Sequence, residues 1–273
     1  MTNEENINHK SRDLLEVLLN NKILITTITL FFTLVAVIII IFLPNYFTST
    51  SLLKVSFPDD NQNSSALSSY AGLASFAGIS LPTPSEDKGM VAIETIKSRS
   101  FLEKLISYDG VLENIVAAES YDFSSDKMIY DESIFDSNTA QWIDEKPSYL
   151  EAYEFYEEYM SVTQNKANGF ITLSYEHVSP KFAFELVSLI IKEINFLMKE
   201  KDIKESDSSL IYLETLLEDT NNTNIKIQLN QMIENQLRTK MLSNIRDDYL
   251  LVPIDPPYLP EEKSSPRRSI LSI

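Results

Sequence analysis

The chain has 273 residues, 40 acidic and 23 basic, with a formal charge of −17. Such a polyanion repels nucleic-acid phosphates and anionic lipid headgroups alike, which excludes nucleic acid as a partner and surface charge as the means of reaching a membrane. Cysteine is absent and there are only five glycines, so thiolate nucleophiles, disulfides and cysteine metal sites are excluded and phosphate-cradling loops have little to be built from.

The first element in chain order is an apolar run. Residues 23–43, ILITTITLFFTLVAVIIIIFL, carry no charge and only threonine as a polar type. At about 1.5 Å per residue they reach about 31 Å, the thickness of a bilayer's hydrocarbon core. Threonine hydroxyls can return their hydrogen bonds to carbonyls of the preceding turn, so they cost little there. A buried core helix would show a polar face, and this run has none. A secretory leader would have a shorter core followed by a small-x-small site, which Pro44-Asn45-Tyr46-Phe47 does not supply. The run therefore predicts a transmembrane helix over 23–43. Lys10, Arg12 and Lys22 precede it and only Lys54 follows closely. The positive-inside rule keeps the tail, 1–22, in the cytoplasm and exports the body, 44–268.

In the exported body, Tyr46 to Phe57 reads as a strand. A polar loop follows at Asp59–Ser65, then a small-residue stretch from Ser68 to Pro82. That stretch suits close approach to a membrane, a neighbouring subunit or its own sheet; a mobile loop is an equal reading. Residues 86–106 read as helix, restarted by a capping box of Ser100 and Glu103 before Phe101-Leu102. A second capping box, Ser148 with Glu151, opens a helix carrying Tyr149, Tyr153, Tyr156 and Met160 at helical spacing. That stripe reads as core, and Glu151, Glu154, Glu157 and Glu158 as the solvated side.

Phe170 to Tyr175 alternates as a strand does. Ser179-Pro180 then gives an N-cap and a first-turn proline. The helix they open buries Ala183, Val187, Ile190, Ile194 and Leu197 on one face. It runs on through Leu213, Leu216 and Leu217 to a polar stop at 220–224. About forty helical residues reach about 60 Å, too long for a compact domain of this size. A returning helix carries Ile225, Leu229, Ile233, Leu237, Met241, Ile245 and Tyr249, which closes a hairpin over about 180–249. A strict four-residue step winds around the helix axis, so this stripe needs more neighbours than one partner helix provides. Contacts between subunits would supply them.

Leu250 to Ile254 reads as a short strand leading into a proline-rich segment, 253–266, which favours stiff extended chain with few backbone donors. Lys263, Arg267 and Arg268 collect before Ser269–Ile273, a cationic flank and apolar start suited to a second span cut short at 269–273. The candidate membrane-proximal motif is Pro256, Pro257, Pro260, Pro266, Arg267 and Arg268, with the two arginines as a headgroup anchor.

Catalytic chemistry finds no foothold in the sequence. Gly72 and Gly78 are not followed by a lysine, so there is no P-loop. His9 and His177 fall on opposite sides of the apolar run and cannot share a metal. No carboxylate pair is singled out as acid and partner. The expectation is a protein with no catalytic residue, no cofactor and no metal.

Several of these features together resemble the Wzz chain-length determinants, which are bacterial polysaccharide co-polymerases. They are the first span, the small-residue stretch, Ser-Arg-Ser-Phe-Leu (98–102), Glu-His-Val-Ser-Pro (176–180), Met232 to Gln236, Met241-Leu242 and the tail at 255–268. The resemblance is strong at the tail and weak in 109–146. It implies an α+β protein of the inner membrane with two spans and both termini cytoplasmic. A periplasmic α/β base would carry the antiparallel helical hairpin. It also implies a closed homo-oligomeric ring that touches membrane lipid and acts with the polysaccharide polymerase on lipid-linked polysaccharide. The ring would set the length of O-antigen or a related polymer without catalysing bond formation. An alternative is the exported part of a capsule or exopolysaccharide co-polymerase whose cytoplasmic tyrosine kinase domain lies beyond this chain. A generic single-pass adaptor is a third reading.

Overall fold

The computed structural model describes residues 21–56, 88–245 and 248–266, with the side chains of 36–37 and 39–42 outside the description. The polar loop, the small-residue stretch, His9, Arg267, Arg268 and the apolar 269–273 lie outside the described residues. The chain divides into two units, Met1–Asn45 with Ser265–Ile273, and Tyr46–Ser264.

In the first unit the apolar run is a helix, α1 (Lys22–Phe42). Its threonines return their hydroxyls to the preceding turn as expected: Thr26 to the Lys22 carbonyl at 2.7 Å, Thr27 to Ile23 at 2.8 Å and Thr33 to Thr29 at 2.8 Å. Among the described residues no helix is long and apolar enough to cross a membrane. The continuous part of α1 with described side chains, 22–35, is too short for that.

The second unit is a four-stranded antiparallel sheet with helices on one face, a mixed α+β fold. Its strands are β1 (Phe47–Val55), β6 (Met160–Gln164), β7 (Ile171–His177) and β8 (Leu251–Asp255), in the order β6-β7-β1-β8. Side chains alternate along β1: Phe47, Ser49, Ser51 and Leu53 are buried, while Thr48, Thr50 and Leu52 are only partly covered. Period-two alternation of this kind is what one covered face dictates. Leu53, Leu173 and Tyr175 share a core with Phe182, Leu186, Ile190 and Ile194 of the long helix.

Four helices complete that core: α2 (Lys88–Ile96), α3 (Arg99–Leu105), α4 (Val111–Val116) and α5 (Tyr149–Tyr159). The expected helix over 86–106 is thus two helices, and its restart is capped two residues earlier than the sequence suggests. Ser98, not Ser100, accepts from the Phe101 amide at 3.2 Å. Ser100 is instead inside the first turn of α3, where its hydroxyl meets that of Ser98. The capping box of Ser148 and Glu151 on α5 forms in both directions. Tyr156 is fully buried and donates its hydroxyl to the Ile96 carbonyl at 3.0 Å, which satisfies the polar end of an otherwise apolar payload. Glu151, Glu154, Glu157 and Glu158 are exposed. Met160 is the first residue of β6, not the last of the helix.

Residues 109–146 hold α4 (Val111–Val116) and two small hairpins, β2 (Ala118–Asp122) with β3 (Lys127–Tyr130) and β4 (Phe135–Asp136) with β5 (Gln141–Trp142). Gly110, at φ 78°, precedes α4 in the left-handed region that suits glycine.

The hairpin is formed by α6 (Pro180–Asp219), 40 residues capped by Ser179, and α7 (Thr223–Ile245). Pro180 to Met198 of α6 lies on the sheet core. Farther along, its buried residues thin to Ser206, Leu210 and Leu213. On α7 only Leu229 and Ser243 are buried, while Leu237, Met241 and Ile245 are more than half exposed. Lys240 and Asp207 bridge the two helices at 2.6 Å. Tyr249 does not continue the α7 stripe. It is buried beside β8, beyond Ile245, where the helix ends.

Candidate functional site

The proline-rich segment is held along β1 by serine hydroxyls. Strand β8 pairs with the second half of β1, with a register break between Leu52 and Leu53. Beyond Asp255 the chain enters Pro256-Pro257, which have no amide hydrogens to continue a ladder. β1 answers with side chains. Ser51 Oγ donates to the Asp255 carbonyl at 2.7 Å, and Ser49 Oγ to the Tyr258 carbonyl at 2.8 Å. Both serines are completely buried, so each hydroxyl satisfies its hydrogen-bonding need on a carbonyl that no proline amide competes for. The contact closes at Ser264. Its amide donates to the Tyr46 carbonyl at 2.8 Å, and its hydroxyl donates to Glu176 Oε1 at 2.6 Å. The first and last residues of this unit are therefore hydrogen-bonded neighbours.

Of the motif residues, Pro260 is buried, Pro257 is half-buried and Pro256 is exposed. Pro266 belongs to the other unit. Arg267 and Arg268 lie outside the described residues. Sequence reasoning selected the prolines and missed Ser49, Ser51 and Ser264, which hold them. The alternation of β1 was the available signal, since it sends two serines to the covered face.

A second polar knot joins α6 to the start of β8. Asn195, only 3% exposed, accepts the Leu250 and Leu251 amides on Oδ1 at 2.9 and 2.7 Å and donates Nδ2 to the Leu251 carbonyl at 2.8 Å. Two turns along the helix, Asp202 takes Lys88 Nζ at 2.7 Å and the Tyr249 hydroxyl. Glu193, also buried, meets Lys104 Nζ at 2.8 Å and accepts from the Tyr108 hydroxyl. Burial pushes the Glu193 carboxyl up, but hydrogen bonds from Lys104 and Tyr108, with the charge of Lys104, outweigh it and hold it below the ordinary range.

His177 is a structural histidine. Its Nε2–H donates to the Asn114 carbonyl at 2.8 Å, which leaves Nδ1 to accept the Ser179 amide at 3.1 Å. Burial lowers its pKa to about 4, against the pull of those two bonds. The imidazole is neutral at pH 7 and links α4 to the cap of α6.

Among the described residues there is no cluster of three or more histidines and carboxylates able to hold a metal. The geometry is that of a clasp: an α+β base whose two ends are hydrogen-bonded to each other and which carries a helical hairpin.

Residues 12–108 match the model of the Wzz family, described as chain length determinant protein. Over that stretch the chain is similar to the family that its motifs resemble. Among solved structures, the chain is similar to a full-length bacterial polysaccharide co-polymerase at 15% identity and a TM-score of 0.38, over 95% of this chain and 90% of that one. It is also similar to a fragment of WzzB, a polysaccharide co-polymerase from Salmonella Typhimurium, at 16% identity and a TM-score of 0.32, over 81% of this chain and all of the fragment. At these values the two likenesses add no weight to the match over 12–108. No protein of curated function matches the chain in sequence.

Proposed function

We propose that the protein is a non-catalytic regulator of surface-polysaccharide chain length, working as a homo-oligomeric scaffold in the inner membrane. It acts with the polysaccharide polymerase on lipid-linked polysaccharide, the O-antigen of lipopolysaccharide or a related polymer. The family match over 12–108 carries this reading.

Three physical features support it. α1 has 21 residues with its threonines hydrogen-bonded internally, as a lipid environment requires of every polar group. In this reading 23–43 spans the membrane, 1–22 is cytoplasmic and the body is periplasmic, with Arg267 and Arg268 at headgroup level. The bond between Tyr46 and Ser264 suits a body tethered at both ends. The exposed apolar side chains of α7 suit contact with a second copy.

The test is deletion of the gene and complementation, followed by electrophoresis of the surface polysaccharide. Loss of the modal cluster of lengths, restored by the gene, is the expected result. A ladder that deletion leaves unchanged defeats the reading.

A further inference from the structure

A groove of about 590 Å³ lies beside the clasp, on the less covered face of β1. That volume is within the range of about 300–1,000 Å³ usual for small-molecule clefts. Thr48 and Thr50 line it from β1, and Tyr258, Glu261 and Glu262 line it from the proline-rich tail. None of its lining residues is cationic; Lys263, next in sequence, does not line it. We propose that this groove is a subsite for uncharged sugar residues of the polymer, an inference that rests on the chain-length reading.

The chemistry of the wall selects the ligand. Two carboxylates with no cation repel phosphate and uronate groups, but they are strong acceptors for hydroxyl donors. The threonine hydroxyls donate and accept, and neither is hydrogen-bonded to another described residue. Tyr258, 51% exposed, offers an aromatic face to the C–H side of a pyranose ring. A polyol with one apolar face satisfies all three at once, whereas an anion satisfies none of the carboxylates and an apolar ligand leaves them unpaired.

The groove is also preorganised. Tyr258 sits on a backbone fixed by Ser49 at its own carbonyl and by flanking prolines at 256, 257 and 260. Little ordering entropy remains to be lost when a ligand arrives. The surface is open, which suits a site that touches a polymer in passing and releases it.

The test uses the full chain in detergent micelles and ligand-observed NMR saturation transfer. The probes are short neutral oligosaccharides of hexose and N-acetylhexosamine, the same oligosaccharides carrying a uronic acid, and ethanolamine. The neutral sugars are expected to receive saturation with weak, millimolar affinity and the uronic-acid forms little; ethanolamine, a cation that the two carboxylates attract but that has no ring for Tyr258, is expected to receive less than the neutral sugars and separates charge attraction from sugar recognition. Tyr258→Ala and the double change Glu261→Gln with Glu262→Gln should each weaken binding about tenfold, the size of one or two lost contacts. Tyr258→Phe should retain it, and Tyr212→Ala on the hairpin should leave it unchanged. Neutral-sugar signals that survive Tyr258→Ala overturn the proposal, and so does saturation of ethanolamine or uronates in preference to neutral sugars. Each variant is checked by circular dichroism for a wild-type fold. The polysaccharide ladder is read separately: an unaltered ladder on gene deletion sinks the chain-length reading without touching the binding result.

Discussion

The side-chain amide of Asn195 pairs with the backbone of Leu251 as a neighbouring strand would, taking its N–H at 2.7 Å and giving its own N–H to its carbonyl at 2.8 Å. A helix side chain thereby supplies the missing rung for the first residue of β8. Because all the groups are buried, replacing Asn195 by alanine leaves two amides and a carbonyl without partners. The expected cost is about 3 kcal/mol, read as a lower urea midpoint with an unchanged slope. A loss below about 1 kcal/mol would show that water repairs the gap.

Ser98 and Ser100 make opposite predictions for neighbouring serines. Ser98→Ala removes the α3 cap and should cost about 1 kcal/mol. Ser100→Ala should be close to neutral in the same thermal-melt series. Equal losses would restore the capping box that the sequence suggests.

These cases show what is legible in the sequence. Caps such as Ser179 and the Ser148–Glu151 box are local, with donor and acceptor three residues apart, and both are where the sequence puts them. The long helix is equally readable, from the Ser179 cap to the polar stop at 220–224, whereas the returning stripe runs on to Tyr249, past the end of α7 at Ile245. Asn195 meets a partner 56 positions away, and no local pattern marks it. The hairpins between 118 and 142 are built from strands of two to five residues, too short for alternation to register. Of the candidate motif, the prolines were visible by type, but the serines that grip them acquire a role only once β1 lies beside the tail.

His177 predicts a pH dependence. The unfolded imidazole takes a proton near pH 6.5 and the folded one only near pH 4. Between those values the unfolded state binds more protons, so stability falls as pH is lowered through that window, by about 3 kcal/mol in all. His177→Gln should lower stability at neutral pH yet flatten this step, while carboxylates still cause acid unfolding below it. Denaturant unfolding at about pH 7, 5.5 and 4.5 reads the difference. Parallel profiles for the two proteins would place the sensitivity elsewhere.

The serine clasp predicts local loosening without global loss. Ser49→Ala with Ser51→Ala removes two buried donors, each worth about 1 kcal/mol, from a segment at the edge of the sheet. Chymotrypsin should cut after Tyr258 several times faster, with the cut site identified by mass spectrometry. An unchanged cutting rate would mean that the prolines alone hold the tail.

On α7, Met241 and Ile245 are 62% and 69% exposed. If a second copy covers them, changing both to glutamate should shrink the detergent-solubilised assembly in sedimentation velocity while helix content stays the same. An assembly of undiminished size would put the subunit contact on another face.

The bond between Tyr46 and Ser264 spans 218 positions, and this separation governs when the unit can finish folding. Loop closure over so long a stretch comes late, because its entropy is lost before any contact compensates. During synthesis, β1 emerges among the first residues of the unit and waits for the last. Until residue 264 has arrived, the Ser49 and Ser51 hydroxyls have no proline-segment carbonyls to bind, and that edge of the sheet stays open to other chains. The clasp therefore closes that edge only after residue 264 has been made, which leaves β1 without this partner for most of the synthesis of the unit.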